Sequence, residues 1–107
     1  MIITNIEVVP NQRIVEHLGL VQGSTVRAKH FGRDIAASLK NIVGGELKGY
    51  TELLIEARGE ALGRMEEQAI ALHADAVVNV RLSTASITSG AAEILAYGTA
   101  VRLAPEG

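Results

Sequence analysis

This chain predicts an α+β domain, a mostly antiparallel sheet with two helices packed on one of its faces, and three observations carry that prediction. β-Branched and apolar runs occupy both ends of the chain, at residues 2–9, 14–29 and 76–103. Apolar residues at three- and four-residue spacing fill the middle, and Gly44-Gly45 divides that stretch into two helices. The order is therefore strands, helix, helix, hairpin, which suits a sheet whose helices share one side.

The first run, 2–9, is a short strand that Pro10-Asn11 ends in a turn. From Ile14 to Leu20 neither alternating face is cleanly polar, so the second strand is expected to be covered on both sides. Gly23 marks a bulge or a turn in it, and one long bent strand to Lys29 is preferred. In the first helix Ile35, Leu39, Ile42 and Val43 form one stripe, closed by Gly44-Gly45, since glycine accepts the left-handed geometry of a last turn. Gly49 is the N-cap of a long second helix. Its stripe is Tyr50, Leu54, Ala57, Ala61, Met65, Ala69 and Leu72, with Gly59 and Gly63 away from it on a face open to a partner. Residues 76–82 and 93–103 then pair as a hairpin around Thr88-Ser89-Gly90. In the last strand Ile94, Ala96, Gly98 and Ala100 share a thin face that can admit a helix at short distance. Residues 104–107 form a loose tail.

The chain has 107 residues, 48% of them apolar, which is the size of a single domain, 1–107. It has no cysteine, which removes disulfides, thiolate metal sites and cysteine nucleophiles and suits a reducing, cytoplasmic setting. No secretory leader is evident at the start, and no apolar run reaches the roughly 20 residues that cross a bilayer. A net charge of −2 with one Phe, two Tyr and no Trp supplies neither the basic footprint nor the stacking platforms of a nucleic-acid binder.

Several segments together resemble the YbjQ-like family, which is catalogued under heavy-metal binding without an established function. They are Ile14-Val15-Glu16, Arg33-Asp34, Asn41 to Gly45, Gly49-Tyr50, Ala57-Arg58, Ala74 to Val78 and Gly98 to Val101. The resemblance implies a two-layer, dodecin-like domain assembled into a homo-oligomer, a ring of five identical subunits. It implies no activity. His73 and Asn79 stand where the family pattern leads one to expect glycine. The low aromatic content argues against a flavin like that of true dodecins.

Of the three histidines, His17, His30 and His73, no two are three or four residues apart, so no helical zinc pair exists. His17 is expected to be a structural strand residue. His73 is expected to complement the carbonyl dipoles at the helix end. His30 is the weak candidate for a metal ligand, because it falls at a strand-to-helix junction beside Arg33 and Asp34. Glu52, Glu56, Glu60, Glu66 and Glu67 belong to a solvated helix face, on which Glu60 and Arg64 make a favourable four-residue pair. Ser83, Thr84, Ser86 and Thr88 read as an exposed hairpin edge. No pair of polar residues has the type and spacing for proton transfer or nucleophilic attack, so no enzyme is expected. The expected function is a homo-oligomeric binding protein whose ligand, a metal ion among the candidates, lies at subunit boundaries. The alternative is a scaffold ring without a small-molecule ligand.

Overall fold

Small residues in the last strand and in the long helix decide how the two layers meet. The computed structural model describes residues 1–27, 42–43, 46–88 and 91–106. Their elements are β1 (Ile2–Ile3), β2 (Gln12–Arg27), β3 (Ile42–Val43), β4 (Glu46–Leu47), α1 (Lys48–Ala71), β5 (Ala76–Thr88) and β6 (Ala91–Pro105). The main sheet has the order β1-β5-β6-β2; β1 joins β5 in parallel, and β5, β6 and β2 are antiparallel neighbours. A separate two-stranded ribbon pairs Ile42 with Leu47 and Val43 with Glu46.

The helix lies over β2 and β6 and barely touches β5. A helix is about 10 Å wide and strands are about 4.8 Å apart, so one helix covers two strands of four. Between the layers Ala57, Ala61, Met65 and Ala69, spaced by four along α1, meet Val21, Val77, Ile94, Ala96 and Ala100. The four helix residues are fully buried. Gly23 is the closest approach: a Cβ there would stand 2.3 Å from the Met65 main-chain nitrogen and 2.4 Å from the Ala61 oxygen. On the opposite face a smaller cluster of Val9, Ala76, Val78 and Val101 packs with Leu103.

Three left-handed residues shape the corners. Asn11 (φ 65°) follows Pro10 in a turn closed by the Gln12 N–H to the Val9 carbonyl, 3.1 Å. His73 (φ 61°) ends α1 in a Schellman arrangement, with its own N–H on Ile70 O at 2.9 Å and the Ala74 N–H on Ala69 O at 3.1 Å. Asn79 (φ 54°) sits in the irregularity of β5 between Val78 and Arg81.

The long strand as far as Arg27, the hairpin and the thin face of β6 are as the sequence predicts, Ala28 and Lys29 lie outside the described residues, and several details differ. Among the described residues there is one helix where two were expected. Most of the first expected helix lies outside the described residues, but Ile42 and Val43, assigned to its stripe, are strand. The order therefore places a short β-ribbon directly before α1, and α1 begins at Lys48, ahead of the expected cap Gly49. Only Ile2 and Ile3 of the first run are strand. Gly23 makes neither bulge nor turn; the register shifts of β2 fall at Ile14/Glu16 and His17/Gly19, and Gly23 is needed for helix contact. The first half of β2 is not covered on both sides, since Ile14, Val15 and Leu20 are exposed. Leu72 is exposed beyond the end of α1. Residues 104 and 105 are no loose tail, because Ala104 and Pro105 pair with Arg13 and Gln12.

Gly23→Ala is expected to cost about 2–3 kcal/mol, since main-chain atoms of α1 cannot yield as a flexible side chain would. Urea unfolding monitored by circular dichroism measures it, with Gly63→Ala as comparison, where nothing lies within 4 Å of an added Cβ.

Candidate functional site

Each edge of the sheet presents a groove. Beside β2 the groove is about 500 Å3 and is lined by Gln22, Gly23, Ser24, Arg64, Gln68 and Ala71 among others. Two helix side chains reach across it to the strand's outward main chain. Gln68 Oε1 accepts the Gln22 N–H at 2.9 Å, and Arg64 Nη1 donates to Ser24 O at 2.5 Å. Arg64 Nη2 also pairs with Glu60 Oε1 at 2.6 Å, the helical pair read from the sequence. The guanidinium is thus held by a carboxylate on its own helix and spends its other arm on a strand carbonyl. These bonds occupy the centre of an edge that no other described strand flanks.

Beside β5 lies a groove of about 460 Å3, lined by Ile3, Thr4, Asn5, Leu62, Val80, Arg81 and Leu82. Its walls are more apolar. Arg81 Nη1 donates to Asn5 O at 2.8 Å and to Val80 O at 3.0 Å, which ties the N-terminal segment to the strand. Among the described residues nothing lies within 4 Å of an added Cβ at Gly59 or Gly63.

The corner after α1 is a third polar constellation. Arg102 Nη1 donates to the His73 carbonyl at 2.7 Å while its Nε lies 3.8 Å from Glu16 Oε1, and the Leu103 N–H donates to Asp75 Oδ2 at 2.8 Å. All these bonds brace the chain. Thr25 is buried, and its hydroxyl finds no hydrogen-bond partner among the described residues.

The candidate ligand His30 lies outside the described residues, as do Arg33 and Asp34. His17 is exposed, opposite Val101. The register shift at His17/Gly19 separates it from the helix-facing run that includes Val21, so the two do not share a face as simple alternation predicts. His73 is exposed, and its placement follows from main-chain geometry; what its position requires is a left-handed residue. Among the described residues no three His, Cys, Asp or Glu side chains gather as a metal site, so those of one subunit do not by themselves fit a bound ion. Sequence reasoning missed Gln68, Asp75 and Arg102, whose roles are bonds to main chain across 46, 28 and 29 residues of sequence. Only Asp75, inside the Ala74 to Val78 segment just after the helix, gave any signal. No described helix is long and apolar enough to cross a membrane.

A family model described as "Putative heavy-metal-binding" matches residues 1–104. A UPF0145 protein of Hahella chejuensis is 67% identical over 101 residues, 94% of this chain and 97% of the relative. One from Archaeoglobus fulgidus is 62% identical over 103 residues, covering 96% and 95%, and one from Thermotoga maritima 60% identical, covering 96% and 97%. A crystal structure from Pediococcus pentosaceus, of a protein of unknown function in the DUF74 family, superposes with a TM-score of 0.65 at 15% identity. It covers 97% of this chain and 98% of that one, which shows a shared fold.

Two outcomes follow from the geometry. His73→Gly is expected to stabilise the fold by about 1 kcal/mol in thermal unfolding, because a left-handed residue with a Cβ bears about that cost. Replacing Arg64 and Gln68 together by alanine bares the centre of the β2 edge, and concentration-dependent light scattering is expected to rise severalfold over the Glu67→Ala control.

Proposed function

We infer, from the premise that this chain belongs to the YbjQ family, that it works as a homo-oligomeric binding protein and not as an enzyme. The observation that carries this reading is apolar surface that one subunit leaves in water. Leu20 is 67% exposed, Ile55 58%, Ile70 56% and Ile87 55%. The accessible surface is 6819 Å2, where a compact monomer of this mass has about 5,700 Å2. Strands of 13 to 16 residues make a plate with principal extents of 57 × 28 × 16 Å. Identical neighbours are the simplest cover for such a plate.

The ring implied by the resemblance, five dodecin-like subunits, agrees with this need. It also bears on the ligand. Single carboxylates or histidines from several subunits converge near a symmetry axis, so a metal ion is proposed at subunit boundaries, with His30 the first residue to test. A cytoplasmic setting belongs to the same proposal and is supported by the cysteine-free composition. A scaffold ring that displays surfaces and takes no small molecule is the second reading, favoured by side chains that brace main chain where a ligand site needs free donors.

Native mass spectrometry with elemental analysis of one untagged preparation tests both. The expected result is a single discrete oligomer carrying metal at fixed ratio, which His30→Ala loses. An oligomer without metal transfers the case to the scaffold. A folded monomer at micromolar concentration overturns both readings.

A further inference from the structure

We propose that copies of this chain join by strand addition at the outer edge of β5, residues 81–88, and that the neighbouring copy supplies the first half of its β2. This rests on the homo-oligomeric reading above and names the surfaces that would meet.

The main sheet has two outer edges, and among the described residues each is open along only part of its length. β1 covers the start of β5, where Ile2 and Ile3 pair with Ala76 and Val77, the Asn79 N–H donates to Ile6 O and the Val80 N–H to Thr4 O. No described strand flanks β5 beyond Val80. Because the Val80 N–H points away from β6, alternation turns the main-chain groups of Leu82, Thr84 and Ser86 outward as well. Natural edges are defended by lysines, prolines, inward charges or covering elements. From residue 82 to 88 the sequence, Leu-Ser-Thr-Ala-Ser-Ile-Thr, has no charge and no proline. Leu82 and Ile87 are exposed there, and the apolar groove of Ile3, Leu62 and Leu82 runs alongside. Arg81, the charged residue that adjoins this run, is turned back onto Asn5 and Val80.

On β2 the pattern is the reverse. Gln68 and Arg64 occupy the outward groups of Gln22 and Ser24, so the centre of that edge cannot take a strand. Among the described residues no side chain bonds the outward main chain between residues 13 and 20, where Ile14, Val15 and Leu20 are exposed. The two available stretches are thus different from one another. Contacts between unlike surfaces are head-to-tail and generate a closed ring or an open filament, never a simple two-fold dimer. In the ring proposed above each subunit gives one stretch and receives the other, and the apolar side chains of the incoming strand find the Leu62–Leu82 groove beside the edge.

The test is Thr84→Pro, which deletes an outward N–H without breaking a bond to β6, with Thr84→Ala as control. In native mass spectrometry Thr84→Ala is expected to keep the wild-type oligomer. Thr84→Pro is expected to run as a single subunit with unchanged helical circular dichroism. An oligomeric Thr84→Pro protein overturns the edge assignment and leaves the oligomeric reading standing; a monomeric wild type overturns both. If Thr84→Pro does not fold, amide exchange of the wild-type oligomer decides. The Leu82, Thr84 and Ser86 amides are expected to exchange as slowly as those of Arg81, Ser83 and Ala85, about a hundredfold below the open rate. Exchange at the open rate overturns the proposal.

Discussion

The close contact of α1 with β2 and β6 is the constraint on which the other features depend. Without a tryptophan and with one phenylalanine the chain has few large side chains to fill a thick core. It brings the layers together instead, with alanines spaced by four on the helix and Gly23, Ala96 and Ala100 beneath them. A helix seated this low is near enough for Arg64 and Gln68 to reach over the strand margin. A thin core therefore gives the edge its cover as well as the fold its stability. The cost is lateral. Seated over β2 and β6, the helix barely touches β5.

That asymmetry joins the fold to the proposed function. One margin carries a short N-terminal strand and then an uncharged run; the other has its centre bridged by helix side chains and its beginning open. The polar residues Arg64, Asp75, Arg81 and Arg102 all have main-chain partners here. They hold the plate in shape. Chemistry or ligand capture, if it belongs to the assembly, then falls to surfaces shared between copies.

Much of the architecture was legible because it follows local periodicity. The thin face of β6, the four-residue stripe of α1 and the hairpin can each be read from a window of a dozen residues. What escaped is non-local. Gly23 looks like a bulge in isolation, and only the presence of α1 above it reveals a close approach. Ile42 and Val43 fit a helical stripe by spacing, yet pair with Leu47 and Glu46 in a ribbon whose energy lies in main-chain bonds that spacing does not report. His73 and Asn79 stand where glycine is expected, and both occupy left-handed conformations, so the departure is one of backbone geometry. Of the site, the Glu60–Arg64 pair was visible and the second arm of Arg64 was not. His30, the one residue named for metal, lies outside the described residues.

The two register shifts of β2 have a consequence for how this strand can vary. Val15 is an extra residue between pairs, and a second extra residue falls between His17 and Gly19. Each insertion turns every later side chain to the other side of the sheet, and the second restores what the first reversed. They behave as a frameshift and its suppressor. With Val21 and Gly23 held against α1, losing one alone would turn over the stretch that precedes it, so a single-residue length change here is silent for the later half of the strand only if a second one compensates for the first.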